Sequence, residues 1–374
     1  MGLHLHRAER TDVLADGLGA LLAQPPADPF AGELVLVPAR GVERWLSQRL
    51  SHVLGAGPGG DGVCAAVEFR SPPSLIAEIT GAGDEDPWSP DAMTWPLLAV
   101  IDANLDAPWC ATLARHLGHG DPSPEGELRR GRRYAVARRL AGLFASYARQ
   151  RPQLLVDWAA GRDTDGAGGA LHEDLRWQPP LWRALAAAVA TAPPHERHRE
   201  TVARLRQEPT ETLPGRLSLF GHTRLAGTDI ELLDALATHH DLHLWLPHPS
   251  DALWQALHGV HGTLPRTADE SRRSAHHPLL ETLGRDLREL QRALPAAPAG
   301  DEHRTAAPRP DTLLGWLQSD LGANALRPEG RRHAASDRSV QVHSCHSPAR
   351  QVDVLREVLL GLLHDDPTLE PRDI

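Results

Sequence analysis

The stretch "GELVLVPARGVERWLSQRLS", residues 32–51, predicts a buried strand that runs directly into an amphipathic helix. The apolar run before the proline has the length of a strand covered on both faces, and apolar residues then recur at helical spacing. Parallel α/β folds bind their ligands beyond the carboxyl ends of the strands. The loop places Arg40, Gly41 and Arg44 at such an end, so we expect these residues to bind a ligand.

The segments on either side of this stretch predict a parallel sheet. Upstream, "LHLH" and "TDVLADGLGALLAQ" indicate a short strand and a helix that Thr11 or Asp12 would cap. Downstream, a Ser-Pro-Pro turn opens the helix "SPPSLIAEITG", and the strands "GRLSLFGHTRL" and "DLHLWLPHP" flank the helix "TDIELLDALATH". Alternation of strands and helices is typical of an α/β fold with a parallel sheet.

Three further regions complete the pattern. Residues 91–211 have almost no strand signal, which predicts an all-helical insertion, and residues 260–310 indicate irregular surface with one helix, "PLLETLGRDLRELQRAL". The last segment predicts a strand in "RSVQVHSCH", a helix over residues 351–363, and a new strand beginning at residues 372–374. We expect the apolar stripe of this last helix to be poorly covered; it consists of Val352, Leu355, Leu359 and Leu363.

The composition indicates a globular protein with a sizeable core. Of 374 residues, 41% are hydrophobic and 24% charged, and the formal net charge of −10 requires that any polyanion be held by a local basic patch. Cys64, Cys110 and Cys345 are odd in number and far apart, which favours a reducing compartment over a disulfide framework. Because no signal-peptide core and no apolar run of about 18 residues is present, we expect a cytoplasmic protein that does not enter a membrane.

The basic residues are chemically uniform. All 39 residues counted as lysine or arginine are arginine, for which genomic base composition is one explanation. Whatever its origin, a chain without lysine cannot supply the lysine that reaches the phosphates in a P-loop, nor form a lysine Schiff base.

Between residues 126 and 151 the sequence is strongly basic. Arginines there face a single acid, Glu127; they are Arg129, Arg130, Arg132, Arg133, Arg138, Arg139, Arg149 and Arg151. A charge run is commonly a solvated face. In a chain of negative net charge it is also the natural seat for a phosphate backbone, and both interpretations stay open at this point.

Histidines and cysteines suggest other chemistry less strongly. His239, His240, His243 and His248 are close in sequence, but strand alternation separates them, so we interpret them as structural and predict no metal site. Cys345 and His346 are adjacent, so in a strand their side chains diverge and cannot act as nucleophile and base.

The order of segments resembles the amino-terminal part of the RecC family, the gamma subunits of exodeoxyribonuclease V, across essentially the whole chain. The blocks that carry the resemblance are "ELVLVPARGVERWLSQRLS", "FRSPPSLI", "LFASYARQRPQLLVDWAAG", "WQPPLWRAL", "LSLFGHTRLAGTDIELLDALATHHDLHLWLPHPS" and "VHSCHSPARQVDVLREVLLGLLHDDPTLEPRDI". Each block is weak alone, but together and in this order they are specific.

The resemblance implies a superfamily 1 helicase-like parallel sheet with a large helical insertion and an inactivated ATP site. It places the helicase-like domain in residues 1–90 and 212–335, the insertion in 91–211, and the truncated start of a second such domain in 336–374. The residues agree, because "LHLHRAERTDVL" lacks the glycines and lysine of a phosphate loop and "LSLF" ends in Gly221 and His222 instead of an Asp-Glu pair. We expect no cofactor in this chain, with ATP and Mg²⁺ used by partner subunits.

The resemblance also implies a channel for single-stranded DNA along "LFASYARQRP" and beside the loop after the second strand. The DNA-binding candidates are Arg40, Gly41, Arg44, Arg132, Arg133, Arg138, Arg139, Arg151 and Arg199. Where members with a characterised hotspot carry carboxylate and amide groups, this chain has Gly142, Ala145 and Ser146, with Pro38, Arg40 and Arg44 in the loop. Trp45 shares helical spacing with Leu46 and Leu50, which favours the core over a stacking platform.

The function so implied is that of a non-catalytic DNA-binding subunit in a heterotrimer with RecB-like and RecD-like subunits. It would split duplex ends and scan the single strand for a recombination hotspot during double-strand break repair, and the resemblance implies a much longer protein. Two alternatives remain. A structural scaffold would make the arginines incidental, and an active nuclease would need clustered Asp, Glu and Lys that the chain does not contain.

Overall fold

The computed structural model describes residues 1–371 except residues 27, 29, 58–61, 84, 263 and 327. In this part of the chain six strands form one sheet: β1 (Gly2–Ala8), β2 (Glu33–Leu36), β3 (Val67–Arg70), β4 (Arg216–Phe220), β5 (Asp241–Pro247) and β6 (Gly300–Arg304). Their order across the sheet is β3-β2-β4-β5-β1-β6, and every neighbouring pair is parallel. The predicted α/β class with a parallel sheet is confirmed.

Helices surround the sheet and form a separate helical region. Within the described residues they are α1 (Thr11–Leu22), α2 (Arg40–Ser51), α3 (Pro72–Thr80), α4 (Pro90–Ala103), α5 (Ala111–His116), α6 (Pro124–Arg130), α7 (Arg133–Gln150), α8 (Pro152–Ala159), α9 (Gln178–Val189), α10 (Pro194–Gln207), α11 (Gly227–Leu236), α12 (Asp251–Ala256), α13 (Pro278–Leu283), α14 (Arg285–Ala293), α15 (Leu313–Gly322) and α16 (Pro348–Asp365). Ser71, Ser89 and Ser123 each cap a helix that begins with proline, a combination that satisfies the first backbone donors.

The central and edge strands differ in composition. The three strands β2, β4 and β5 are almost wholly buried and consist largely of Leu and Val. The two edge strands, β3 with "VEFR" and β6 with "GDEHR", are charged and partly exposed, and the sequence analysis missed both. Charged residues are usual on edge strands because they discourage pairing with other chains, and they remove the apolar signal by which a strand is recognised.

Two cores cover the faces of the sheet. Leu5, Leu36 and Leu219 face α3, α10 and α11, whereas Val35 and Phe220 face α1 and α2. Alternation along each strand produces this division.

The helices α4, α5, α7, α8 and α9 share a core of their own, with Trp158 and Trp182 fully buried. The domain bounds implied by the resemblance stay predictions. Among the described residues no single helix is long and apolar enough to span a membrane, although α4 and the segment Pro108–His116 pass that test as a pair bent by 117°. Leu97 and Leu113, one from each part of the pair, are buried in the helical core.

Three local predictions were wrong. The N-cap of α1 is Arg10, and Asp12 lies inside the first turn, where it accepts hydrogen bonds from Arg10 and from the backbone of Val13. The helix expected over 278–294 is broken at Gly284 into α13 and α14, since glycine is a poor helix former. The segment 338–346 forms no strand, because no strand of the described residues pairs with it to complete the hydrogen bonds.

The apolar stripe of α16 is poorly covered, as predicted. None of the residues of this helix is buried, and Val352 and Leu355 are more than half exposed. The further strand expected at 372–374 lies outside the described residues.

Candidate nucleic-acid interface

At the carboxyl edge of the sheet, we call the surface between the loops that follow β2 and β4 the crevice. The chain leaves β2 toward β3 through α2 and leaves β4 toward β5 through α11, and these two connections run to opposite sides of the sheet. Such a topological switch point is where open parallel sheets bind ligands. The loops after β2 and β4 therefore form the first part of the candidate site.

The amino terminus of α2 borders this crevice. Arg40, Gly41 and Arg44 are exposed, and within the described residues neither arginine has an ion pair or a side-chain hydrogen bond. Ala39 provides no side-chain cap, so backbone N–H groups of the first turn are free to meet an anion. A Cβ at Gly41 would meet nothing within 4 Å, which leaves room for a ligand to approach the backbone.

The loop after β4 contributes a neutral surface. Gly221 has φ of 77°, and a Cβ there would lie 4.0 Å from Cγ1 of Val42, so the loop after β4 approaches the first turn of α2. His222 is buried, neither of its ring nitrogens has a hydrogen-bond partner in the described structure, and burial lowers its pKa to about 4. The side chain beyond β4 is thus an uncharged imidazole at neutral pH.

Helix α7 reaches the same edge of the sheet. Arg149, in its last turn, donates to the buried carboxylate of Asp229 at 2.6 Å, and Thr228 donates to the Arg149 carbonyl oxygen at 2.8 Å. Asp229 and Thr228 belong to the first turn of α11, which follows the β4 loop. These contacts join the helical region to the crevice.

The exposed face of α7 extends the basic surface away from this junction. Arg138 and Arg139 lie on that face, and Arg132 immediately precedes the helix. All three are exposed, and in the described ranges none has an ion pair or a side-chain hydrogen bond. Three guanidinium groups without acids beside them are available to phosphates.

Other arginines of the same run have partners inside the protein. Arg133, a predicted DNA contact, donates to Asp102 of α4 at 2.9 Å and to the carbonyl oxygen of Arg130. Arg129 pairs with Glu125, and Arg130 donates to the carbonyl oxygens of Gly118 and Asp121. These arginines connect α4, α6 and α7, and we assign Arg133 to that structural group because its guanidinium is already engaged.

Arg151 and Arg199 lie near a second opening. Both are exposed without an ion pair among the residues described. Arg199 of α10 lines a cavity of about 420 Å³ together with Pro152, the residue after Arg151, and Arg206. The structure therefore brings the start of α8 and the middle of α10 together, although they are distant in sequence.

The middle of the exposed α7 face carries only small residues. Gly142 and Ser146 are exposed and Ala145 is half-buried. A Cβ at Gly142 would meet nothing within 4 Å, so no neighbouring atom of the chain requires a glycine there. The small residues separate the arginines at the two ends of the helix.

An aromatic pair beside these arginines was missed by the sequence analysis. Trp95 of α4 and Tyr134 of α7 are 65% and 45% exposed, with ring centroids 5.3 Å apart. Tyr134 lies one turn before Arg138 on the same side of α7. The available signal was that Trp95 lies off the apolar stripe of α4, which runs through Met93, Leu97 and Ile101. Trp45, in contrast, packs against Phe220 in the core, as predicted.

The turn between β1 and α1 is filled by charged side chains. Only Glu9 and Arg10 separate the two elements. Glu9 pairs with Arg309, while the buried Arg7 donates to Asp301 at 2.6 Å and to Asp251 at 2.7 Å. The two residues of this turn, Glu9 and Arg10, are therefore both held in ion pairs within the chain.

Comparison with known proteins assigns the family. A family model described as RecC, N-terminal domain, matches residues 3–324. The chain belongs to the RecC family. RecBCD enzyme subunit RecC from Mycobacterium tuberculosis (strain CDC 1551 / Oshkosh) is 72% identical over 379 residues, which cover 100% of this chain and 34% of the relative.

Other RecC relatives are similar over the same span. The protein of the same name from Mycolicibacterium smegmatis is 69% identical, over 100% of this chain and 33% of the relative. The RecC subunit from Escherichia coli (strain K12) is 27% identical, over 100% of this chain and 36% of the relative. The chain thus spans about a third of the length of the curated RecC relatives that it matches.

Proposed function

We propose that this chain is the DNA-handling amino-terminal part of a RecC subunit within a RecBCD-type helicase-nuclease. In that enzyme it binds the forked end of a duplex and guides one single strand during double-strand break repair, while RecB-like and RecD-like partners hydrolyse ATP. The observation that carries the proposal is the set of exposed arginines Arg40, Arg44, Arg138 and Arg139, which have no ion pair among the described residues.

Single-stranded DNA is the ligand that this surface fits best. Guanidinium groups neutralise phosphates in a sequence-independent way, and aromatic rings such as Trp95 and Tyr134 stack on bases. The crevice, the exposed face of α7 and the cavity beside Arg199 give a strand several points of attachment. Scanning for a hotspot is part of the proposal, with the bare positions Gly142 and Ser146 on the helix that would face the bases.

The chain itself is proposed to lack ATPase activity and to have a helicase-like fold with an inactivated ATP site. The short turn at Glu9 supports this, because a phosphate loop needs several glycine-rich residues whose N–H groups surround the phosphates. His222 beyond β4 supports it further, because a neutral imidazole does not replace the carboxylate that binds Mg²⁺.

The test is the salt dependence of binding to a forked DNA duplex by the intact chain. Replacement of Arg40 and Arg44 by alanine should weaken binding and reduce the slope of log K against log salt by about one for each phosphate that is no longer neutralised. Arg49→Ala is the matched control, because Arg49 lies on the same helix but pairs with Asp16. An unchanged slope in the double variant would contradict the proposal and favour a scaffold that does not touch DNA.

A further inference from the structure

A cluster of histidines lies on β1 and β5. Parallel pairing sets His4 directly beside His243 and Gly2 beside Asp241. Because side chains alternate along a strand, His4 and His6 of β1 project to the same face as Asp241 and His243 of β5. The sequence analysis considered only the histidines near β5, so the contribution of β1 was invisible without the strand register.

Three side chains of this cluster bring donor atoms together. One atom each of His4, Asp241 and His243 lies within 4.8 Å of the other two, and His4 Nε2 is 3.0 Å from Asp241 Oδ1. Donor atoms around a tetrahedral zinc ion are roughly 3.4 Å apart, since zinc–nitrogen bonds are about 2.1 Å long. The rings of His4 and His243 are stacked, with planes 14° apart, so the His4 ring must turn before both rings point at one ion. His4 is partly exposed and its side chain contacts Asp241, so this ring is the one that can turn.

The hydrogen bonds of His243 leave one nitrogen free. His6 Nδ1 donates to Glu302 Oε2 at 3.1 Å, since a carboxylate only accepts. A neutral His6 then presents Nε2 as an acceptor, and His243 Nδ1, 3.0 Å away, donates to it. The lone pair of His243 Nε2 remains, on an atom that is buried and has no partner among the described residues.

This arrangement is the one that metal-binding histidines show. A ligating imidazole donates its other N–H to a partner that fixes its tautomer, and here the partner is His6 backed by the Glu302 carboxylate. Because Nε2 of His243 is buried without an acceptor among the described residues, the geometry favours the neutral ring that metal ligation requires. Arg216, the nearest cation on β4, is paired with Glu33.

We propose that His4, Asp241 and His243 bind a divalent transition-metal ion of the zinc type. Two imidazole nitrogens and one carboxylate oxygen are ligands that zinc favours, and solvent completes the tetrahedron because His4 and Asp241 are partly exposed. The ion takes the place of the hydrogen between His4 Nε2 and Asp241 Oδ1. The proton on Nε2 leaves for solvent and the ring carries a proton on Nδ1 instead, so that the ligating imidazole is neutral. The bound ion links β1 to β5, at the end of the strands opposite the DNA crevice.

The proposal is tested with Co²⁺ and Zn²⁺ on the intact chain after removal of metals with EDTA. The wild type should bind one equivalent of Co²⁺ with the visible absorption of tetrahedral coordination, and Zn²⁺ should displace it. Asp241→Asn keeps the shape of the side chain and His4→Asn affects a half-exposed residue, so both variants should fold. Each should weaken Co²⁺ binding by at least about 10-fold.

Two further variants make the test specific. His116→Asn, an exposed histidine on α5, should bind Co²⁺ like the wild type, and Zn²⁺ should raise the thermal midpoint of both but not that of Asp241→Asn. Glu302→Gln removes the carboxylate that fixes the tautomers and should weaken Co²⁺ binding about 10-fold. Absence of saturable Co²⁺ binding in the wild type, or equal binding by Asp241→Asn and His4→Asn, would overturn the proposal.

Discussion

Two groups of arginines in this chain have opposite surroundings. Arg7 is 2% exposed, contacts two carboxylates and lies over the ring of Trp254 at 4.3 Å. Arg138 and Arg139, on the outer face of α7, are exposed and have no partner in the described residues. A chain whose cations are all arginine thus uses one side chain both to hold elements together and to present positive charge. The difference lies in whether acids surround it.

The largest effect should come from breaking the buried group. Arg7→Met leaves Asp251 and Asp301 without their cation, and we expect the free energy of unfolding to fall by about 3 kcal/mol. This value is at the low end for buried pairs because both carboxylates are about one-third exposed. Denaturant unfolding measures it. Arg10→Met, which breaks an exposed pair with Asp12, should cost less than about 1 kcal/mol. Equal losses in the two variants would erase the distinction.

The next effect concerns the exposed group. The triple variant Arg132→Ala, Arg138→Ala, Arg139→Ala should bind forked DNA about 10- to 100-fold more weakly at low salt, because up to three phosphates are no longer neutralised. Its free energy of unfolding should stay unchanged. The control is Arg49→Ala, Arg129→Ala, Arg183→Ala, which removes the same charge from arginines that have acidic partners. If both triple variants lose the same affinity, net charge and not the exposed face binds the DNA.

Buried histidines should make the free energy of unfolding depend on pH. Burial lowers the pKa of His222 and His248 to about 4; Asp229 faces the first, and Arg7, Asp251 and His303 face the second. In the unfolded chain these histidines have a pKa near 6.5, so between pH 4 and pH 6.5 the unfolded state binds more protons than the folded state. The free energy of unfolding is therefore full above pH 6.5 and falls as the pH drops toward 4. We expect about 1 kcal/mol per pH unit for each histidine, measured by denaturant unfolding at several pH values. His222→Asn should make the pH dependence shallower, and an identical slope would contradict the assignment.

The smallest expected effect concerns the exposed aromatic ring beside the arginines of α7. Trp95→Ala should weaken binding of single-stranded DNA about 5- to 10-fold because one base no longer has a ring to stack on, with the salt slope unchanged because an aromatic ring neutralises no phosphate. Leu283→Ala, at another exposed apolar residue, is the control. A change in slope would mean that the ring positions the neighbouring arginines instead of stacking on a base.

The sequence predicted the central elements well because local pattern and burial agree there. The strand "ELVLVP", the helix after it and the strand "DLHLWLP" all carry apolar periodicity, and each is formed. The strand β6, "GDEHR", was missed because its place is set by pairing with β1 across nearly 300 residues.

The sequence nominates candidate arginines by residue type, but it does not show which of them are free of acidic partners. Arg133, Arg138 and Arg149 look alike in sequence, and whether each is free depends on Asp102 and Asp229, which only the tertiary structure brings near. The histidine cluster was missed for the same reason. Its members are 237 residues apart and become neighbours only through the register of two strands.

The open space above Gly142 has a consequence for how such a surface can change over generations. Among the described residues, a Cβ at this position would meet no atom within 4 Å, and replacing a glycine within a helix by alanine stabilises the helix by about 1 kcal/mol. Substitutions here by residues other than proline are therefore stabilising or neutral, and they alter the exposed face of the helix while the tryptophan-rich core beneath stays intact. Lineages can vary the residue at this face without first acquiring a compensating mutation elsewhere.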